Sequence, residues 1–170
     1  MEQTKTLSIK KFRTLDWLQI AGFIGIASLA PLFFSQPITG TIVNATLFSS
    51  TALFGYKAGI LVGISPSFIA LSIGLLNPIL APMVPFIILS NIILVSIFAA
   101  LKPKNFLLGI LTASLAKFLF LFLTSSIIIT FLIPTEVAPT IAKMMTWPQL
   151  LTALAGGSVA FGFLKTIRKP

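Results

Sequence analysis

Residues 105–133 read NFLLGILTASLAKFLFLFLTSSIIITFLI, a run with one charged side chain, Lys117. Crossing the hydrocarbon of a bilayer takes about 20 mostly apolar residues, and this run exceeds that. Its apolar residues are continuous rather than alternating, so the segment reads as a helix and not as a barrel strand. Moving outward, runs of the same character occupy 16–34, 38–55, 58–76, 82–101 and 147–164. The expected fold is therefore an all-α integral membrane protein, residues 1–170 forming one domain of six transmembrane helices. Composition agrees: 56% of the 170 residues are hydrophobic and 9% are charged. A soluble domain carries about 25% charged residues, so a water-soluble catalytic domain has no material here.

The connections are short, and they sort the cations. Lys5, Lys10, Lys11 and Arg13 precede the first span, Lys57 follows the second, Lys102 and Lys104 follow the fourth, and Lys165, Arg168 and Lys169 follow the sixth. All of these share one side if both termini do, and the other side holds only Lys143, near Glu136. The positive-inside rule places that basic side, and both termini, in the cytoplasm. The net charge of +9 thus reports topology rather than a nucleic-acid partner. Residues 10–30 have the look of a signal peptide, but Pro31 follows the small-residue site Ser28-Leu29-Ala30, which favours a retained first helix.

Absent residue types exclude much chemistry. The chain has no Cys and no His, which removes thiolate and imidazole metal sites, disulfides and imidazole acid–base catalysis. Its three acids, Glu2, Asp16 and Glu136, all lie outside the span centres, so a carboxylate proton relay has no parts. No Gly-x4-Gly-Lys-Ser/Thr loop is present for ATP hydrolysis, and no nucleophile–base pair can be assembled within the spans. The expectation is a protein that is not an enzyme and holds no metal or cofactor.

What remains is binding. Lys117 lies about 18 Å along its helix, too deep for its stem to reach the interface. A central Lys costs roughly 2.5–3.5 kcal/mol to insert, and no acid within the spans can offset it. It is either a counter-charge for an anionic solute or a side chain held by polar groups at a helix interface. Thr41 and Asn44 share a face of span two at i, i+3 spacing. Asn77 ends span three, Asn91 lies mid-span four, and Thr124 with Ser125 lies in the outer half of span five. As a set over four helices these suit a polar pocket; singly, each also suits an interhelical hydrogen bond.

Three further features carry weight. Ser65-Pro66-Ser67 is expected to break span three at its midpoint, freeing backbone groups for a cavity. Small residues recur at four-residue spacing: Ala21 with Gly25; Gly55, Gly59 and Gly63; Ala153 with Gly157; Gly156 with Ala160. Such faces pack helices within the body or dock another membrane protein. Residues 134–146 carry an apolar stripe of Val137, Ile141, Met144 and Met145, which suits a lid, a helix lying in the interface or a plain connection.

The stretch Pro37-Ile38-Thr39-Gly40-Thr41-Ile42-Val43-Asn44-Ala45, with Ala58-Gly59-Ile60, Leu80-Ala81-Pro82-Met83-Val84-Pro85-Phe86, Asn91 and Ala116-Lys117-Phe118-Leu119, resembles a known family. It is similar to the substrate-binding (S) components of energy-coupling factor vitamin transporters, in the group known as iron-hydrogenase-associated membrane proteins. The resemblance implies a six-helix bundle in the plasma membrane of a prokaryote. Such a protein binds a micronutrient from outside and joins a transmembrane coupling subunit and two cytoplasmic ATPase subunits. S components dock through Ala-x3-Ala on the first helix, for which Ala21-x3-Gly25 is the nearest match. They gate with the first and fifth external connections; here the first is short, which leaves 134–146. The expected solute site is Thr41, Asn44, Asn77, Asn91, Lys117 and Thr124. The alternatives are a non-transporting subunit or anchor of a redox or biosynthetic complex, which needs no pocket, and a solitary carrier.

Overall fold

The computed structural model describes residues 13–74, 78–132, 136 and 138–167. It is all-helical, with no strand among the described residues. The elements are α1 (Thr14–Phe33), α2 (Gln36–Phe54), α3 (Tyr56–Ser72), a 3-10 turn (Pro78–Met83), α4 (Val84–Leu101), α5 (Phe106–Leu132), the short α6 (Ala138–Met145) and α7 (Trp147–Thr166). Proline stands in the first helical turn of α2, α4 and α7, where its missing N–H costs nothing. Gly55 alone links α2 to α3; its φ of +90° reverses the chain in one residue, a conformation other residues avoid.

Short links make successive helices antiparallel neighbours, and α1–α2, α2–α3, α3–α4, α4–α5 and α5–α7 all pack together. One end of the body therefore gathers the starts of α1, α3 and α5 and the ends of α2, α4 and α7. Arg13, Lys57, Lys102, Lys104 and Lys165 all lie at this basic end. Lys102 Nζ donates to the Ala52 carbonyl at 2.7 Å, which sets the end of α4 beside the last turn of α2 and supplies a donor to its free carbonyls. Lys143 on α6 and Glu136 lie at the opposite end.

Among the described residues, four helical segments are long and apolar enough to cross a membrane: Thr14–Phe33, Ala81–Leu101, Phe106–Phe131 and Ala138–Thr166. At 17 residues α3 is apolar but shorter, and α2 is more polar. The polarity of α2 follows from its position. It packs against α1, α3, α4 and α7, and residues 46–51 are buried without a break, so its neighbours are protein. Large apolar side chains instead cover the outside of the other helices, as at Leu18, 70% exposed, and Phe131, 79% exposed. A surface so apolar requires hydrocarbon, not water, around it.

Two expectations need correction. Pro66 does not break its helix: α3 runs through it, and its buried ring faces the body. The segment expected at 134–146 is not a plain loop among its described residues, because 138–145 form the amphipathic helix α6. Ile141 and Met145 are fully buried in a cluster with Met83, Leu121 and Ile128. Val137 falls outside the described residues. The main core, including Leu47, Phe48, Val62, Leu94, Val95 and Phe98, fills the half of the body toward the basic end.

Candidate functional site

The opposite half encloses a cavity of about 810 Å³. Its walls come from 27–31 of α1 and Phe34 just beyond it, 36–44 of α2, 66–70 of α3, 84–91 of α4 and 148–152 of α7, with α6 across one side. All of these lie on the same half of their helices, so the cavity starts at the end bearing α6 and stops near mid-body. Asn44 and Asn91 are the innermost wall residues of α2 and α4, about 10–12 Å in from the first wall residue of each helix. Among the described residues, Lys117 is the single wall residue from α5, about 16 Å from that helix's start.

These three side chains form one network. Lys117 Nζ donates to Asn44 Oδ1 at 2.8 Å and to Asn91 Oδ1 at 2.7 Å. Asn44 Nδ2 donates to the Gly40 carbonyl at 2.8 Å, and Asn91 Nδ2 donates across to the Gly63 carbonyl of α3 at 2.9 Å. The partners dictate both amide orientations, because an ammonium only donates and a carbonyl only accepts. The residues are 3%, 1% and 2% exposed for Lys117, Asn44 and Asn91, so each hydrogen bond replaces one that water no longer supplies. The network ties α2, α3, α4 and α5 together at one level.

Local sequence makes this geometry possible. Pro66 denies α3 an amide hydrogen, and Asn91 delivers its donor to the turn just before that gap. A Cβ on Gly63 would meet the Asn91 Cβ at 3.3 Å, so the small residue lets α4 bring its amide within reach. At Gly156 a Cβ would lie 2.7 Å from the Asn44 Cβ and from the Thr41 carbonyl oxygen, so α7 presses directly on the back of the site.

The uncommitted groups define what the cavity can do. An ammonium has three donors, and the network uses two. No acceptor for the third is present among the described residues, and Lys117 lines the cavity. Lys143 is the other ionisable wall residue, on the exposed side of α6, and no acid lines the cavity among the described residues. The arrangement is an electropositive pocket with hydrogen-bond donors at its deep end.

Of the residues expected at a site, the structure brings Asn44, Asn91 and Lys117 together. Thr41 lies outside the cavity wall, its hydroxyl donating to the Pro37 carbonyl and its own carbonyl facing α7. Thr124 also lies outside the wall and donates within α5 to the Phe120 carbonyl at 2.7 Å. Asn77 is outside the described residues. Ala21 and Gly25 are not on the cavity wall; Ala21 is exposed, and nothing lies within 4 Å of a Cβ placed on Gly25. Sequence reasoning missed Gln149 and Thr152, both on the wall. Their i, i+3 spacing at the start of the last span was the available signal.

In comparisons with known proteins, no family model, curated protein or solved structure matches this chain.

Proposed function

We propose that the chain is the solute-binding membrane subunit of an energy-coupling factor type importer, capturing a small anionic micronutrient from outside a prokaryotic cell. The observation that carries this reading is the cavity itself, with a buried ammonium held by two amides and one donor left over. A membrane anchor has no use for such a pocket, and a lipid-facing Lys has no use for two asparagines.

In this reading α1, α2, α3, α4, α5 and α7 make six crossings, with the more polar α2 shielded by its neighbours and the short α3 turning Phe68 and Leu71 outward. The five described cations at the basic end support cytoplasmic termini, and the cavity then faces out beneath α6. The outward face of α1, smooth at Ala21, Gly22 and Gly25, is the docking surface for a transmembrane coupling subunit. That subunit and two ATPase subunits supply the work that this chain has no residues to perform.

Reconstitution tests the reading. With coupling and ATPase subunits, liposomes are expected to accumulate whatever solute co-purifies with the chain, only when ATP is present. The chain alone is expected to bind without accumulating, and accumulation by it alone would establish a solitary carrier. Changing Ala21 and Gly25 together to Leu is expected to lower co-purification of the coupling subunit at least tenfold without lowering the melting temperature. Unchanged co-purification would remove this face from the interface.

A further inference from the structure

The deep end of the cavity is more selective than its positive charge alone requires. Each amide oxygen accepts one N–H from Lys117 and keeps a single lone pair, so the floor is richer in donors than in acceptors. The donors are the third ammonium N–H and the second hydrogen on each amide nitrogen, because Gly40 and Gly63 take only one apiece. A group with two oxygens and no hydrogens answers that set. The buried charge is also single. At this depth one ammonium is neutralised by one negative charge, whereas a dianion would leave an uncompensated charge away from water. Lys143 does not change this, since it lies on the exposed side of α6, where solvent screens it.

The walls describe the rest of the molecule. Above the floor the walls are mainly apolar, with Val43, Val84, Ile87 and Met144, interrupted by polar side chains such as Gln149 and Thr152, and Phe34 supplies the one aromatic ring among the described residues. A flat heterocycle is usually held between rings, and these walls offer no second ring to close such a sandwich. Met144 adapts to flexible apolar shapes. Resting on the importer reading above, we infer that the solute is a monocarboxylate with an aliphatic body, bound with its carboxylate down on Lys117 and its chain toward α6.

Radiolabelled octanoate, with octanamide, octanedioate and octyl phosphate as competitors, tests this on the intact chain in nanodiscs. Saturable octanoate binding is expected, with each competitor at least tenfold weaker. Lys117→Gln is expected to weaken octanoate at least tenfold, and Lys104→Gln, at the basic end away from the cavity, less than threefold. If Lys117→Gln does not fold, the competitor series on the unmodified chain decides. Palmitate loaded into the bilayer separates sources: displacement of octanoate supports the same chemistry with lipid as the supplier, and no displacement supports a water-borne solute. Absence of saturable binding, or any competitor within threefold of octanoate, would overturn the inference. The importer reading is judged by co-purification with a coupling subunit, so an intact complex that ignores octanoate overturns the solute class alone.

Discussion

Lys117 is held by two neutral acceptors rather than by a carboxylate, and this choice has a consequence for binding. A carboxylate partner would complete the ion pair inside the protein and leave nothing for a ligand. Amide oxygens satisfy two N–H groups and leave the charge without a counter-charge among the described residues. Asn91 carries two duties, accepting from Lys117 and donating to Gly63. Asn91→Leu should therefore lower stability by about 1–3 kcal/mol, because it strands the buried Lys117 donor and removes the bond across to α3. Adding Lys117→Met to that variant should restore part of the loss, since it removes one stranded partner. Thermal unfolding in detergent measures both; a double variant less stable than Asn91→Leu would contradict the network.

At the scale of the helices, glycines divide into those that set a contact and those that touch nothing. Gly156 lets α7 approach α2 until its Cα faces backbone: a methyl group added there would lie 2.7 Å from the Thr41 carbonyl oxygen and 2.8 Å from the Ala45 nitrogen. Gly59 and Gly157 are equally constrained, against Thr51 and Ile110. Gly22 has open space. Gly156→Ala should thus cost about 1–3 kcal/mol and weaken solute binding, because α2 must move and takes Asn44 with it. Gly22→Ala should be neutral or stabilising by up to about 1 kcal/mol. Melting temperatures of the two variants test the contrast, and equal shifts would refute it. The small-residue motifs of α3 and α7 are thereby internal packing, and that of α1 is the one left facing outward. Helix α6 is also set by packing: Ile141 and Met145 hold it to α5, and Gln149 Nε2 donates to the Met144 carbonyl, tying it to α7.

The whole molecule is divided across its middle. The half toward the basic end is a solid core, with Phe48, Phe98 and Phe106 in edge-to-face contact, and the other half holds the cavity beside the smaller cluster of Met83, Leu121 and Ile141. Packing density thus resists opening on one side while the cavity opens on the other. The chain has no cysteine, so single cysteines report sidedness cleanly. In intact cells a membrane-impermeant maleimide should label Glu136→Cys directly and Lys104→Cys only after permeabilisation. The reverse pattern would invert the orientation and place the cavity mouth in the cytoplasm.

Hydropathy and charge placement along the chain were enough for a helical membrane body, because the cost of exposing backbone and charge to hydrocarbon depends on composition and not on partners. The importance of Lys117, Asn44 and Asn91 was also legible, since a polar group at that depth needs a reason wherever the helices pack. Their convergence was not legible. Thr41 and Thr124 looked like equal candidates, yet each is satisfied by its own helix, and no linear spacing distinguishes an inward hydroxyl from a self-bonded one. Likewise Ala21-x3-Gly25 and Gly59-x3-Gly63 are alike as text, and only the angles and rotations of packed helices turn one outward and the other into the body. Those rotations arise from contacts between residues far apart in the chain, which is why tertiary structure alone decided where the pocket lies and which donor it leaves free.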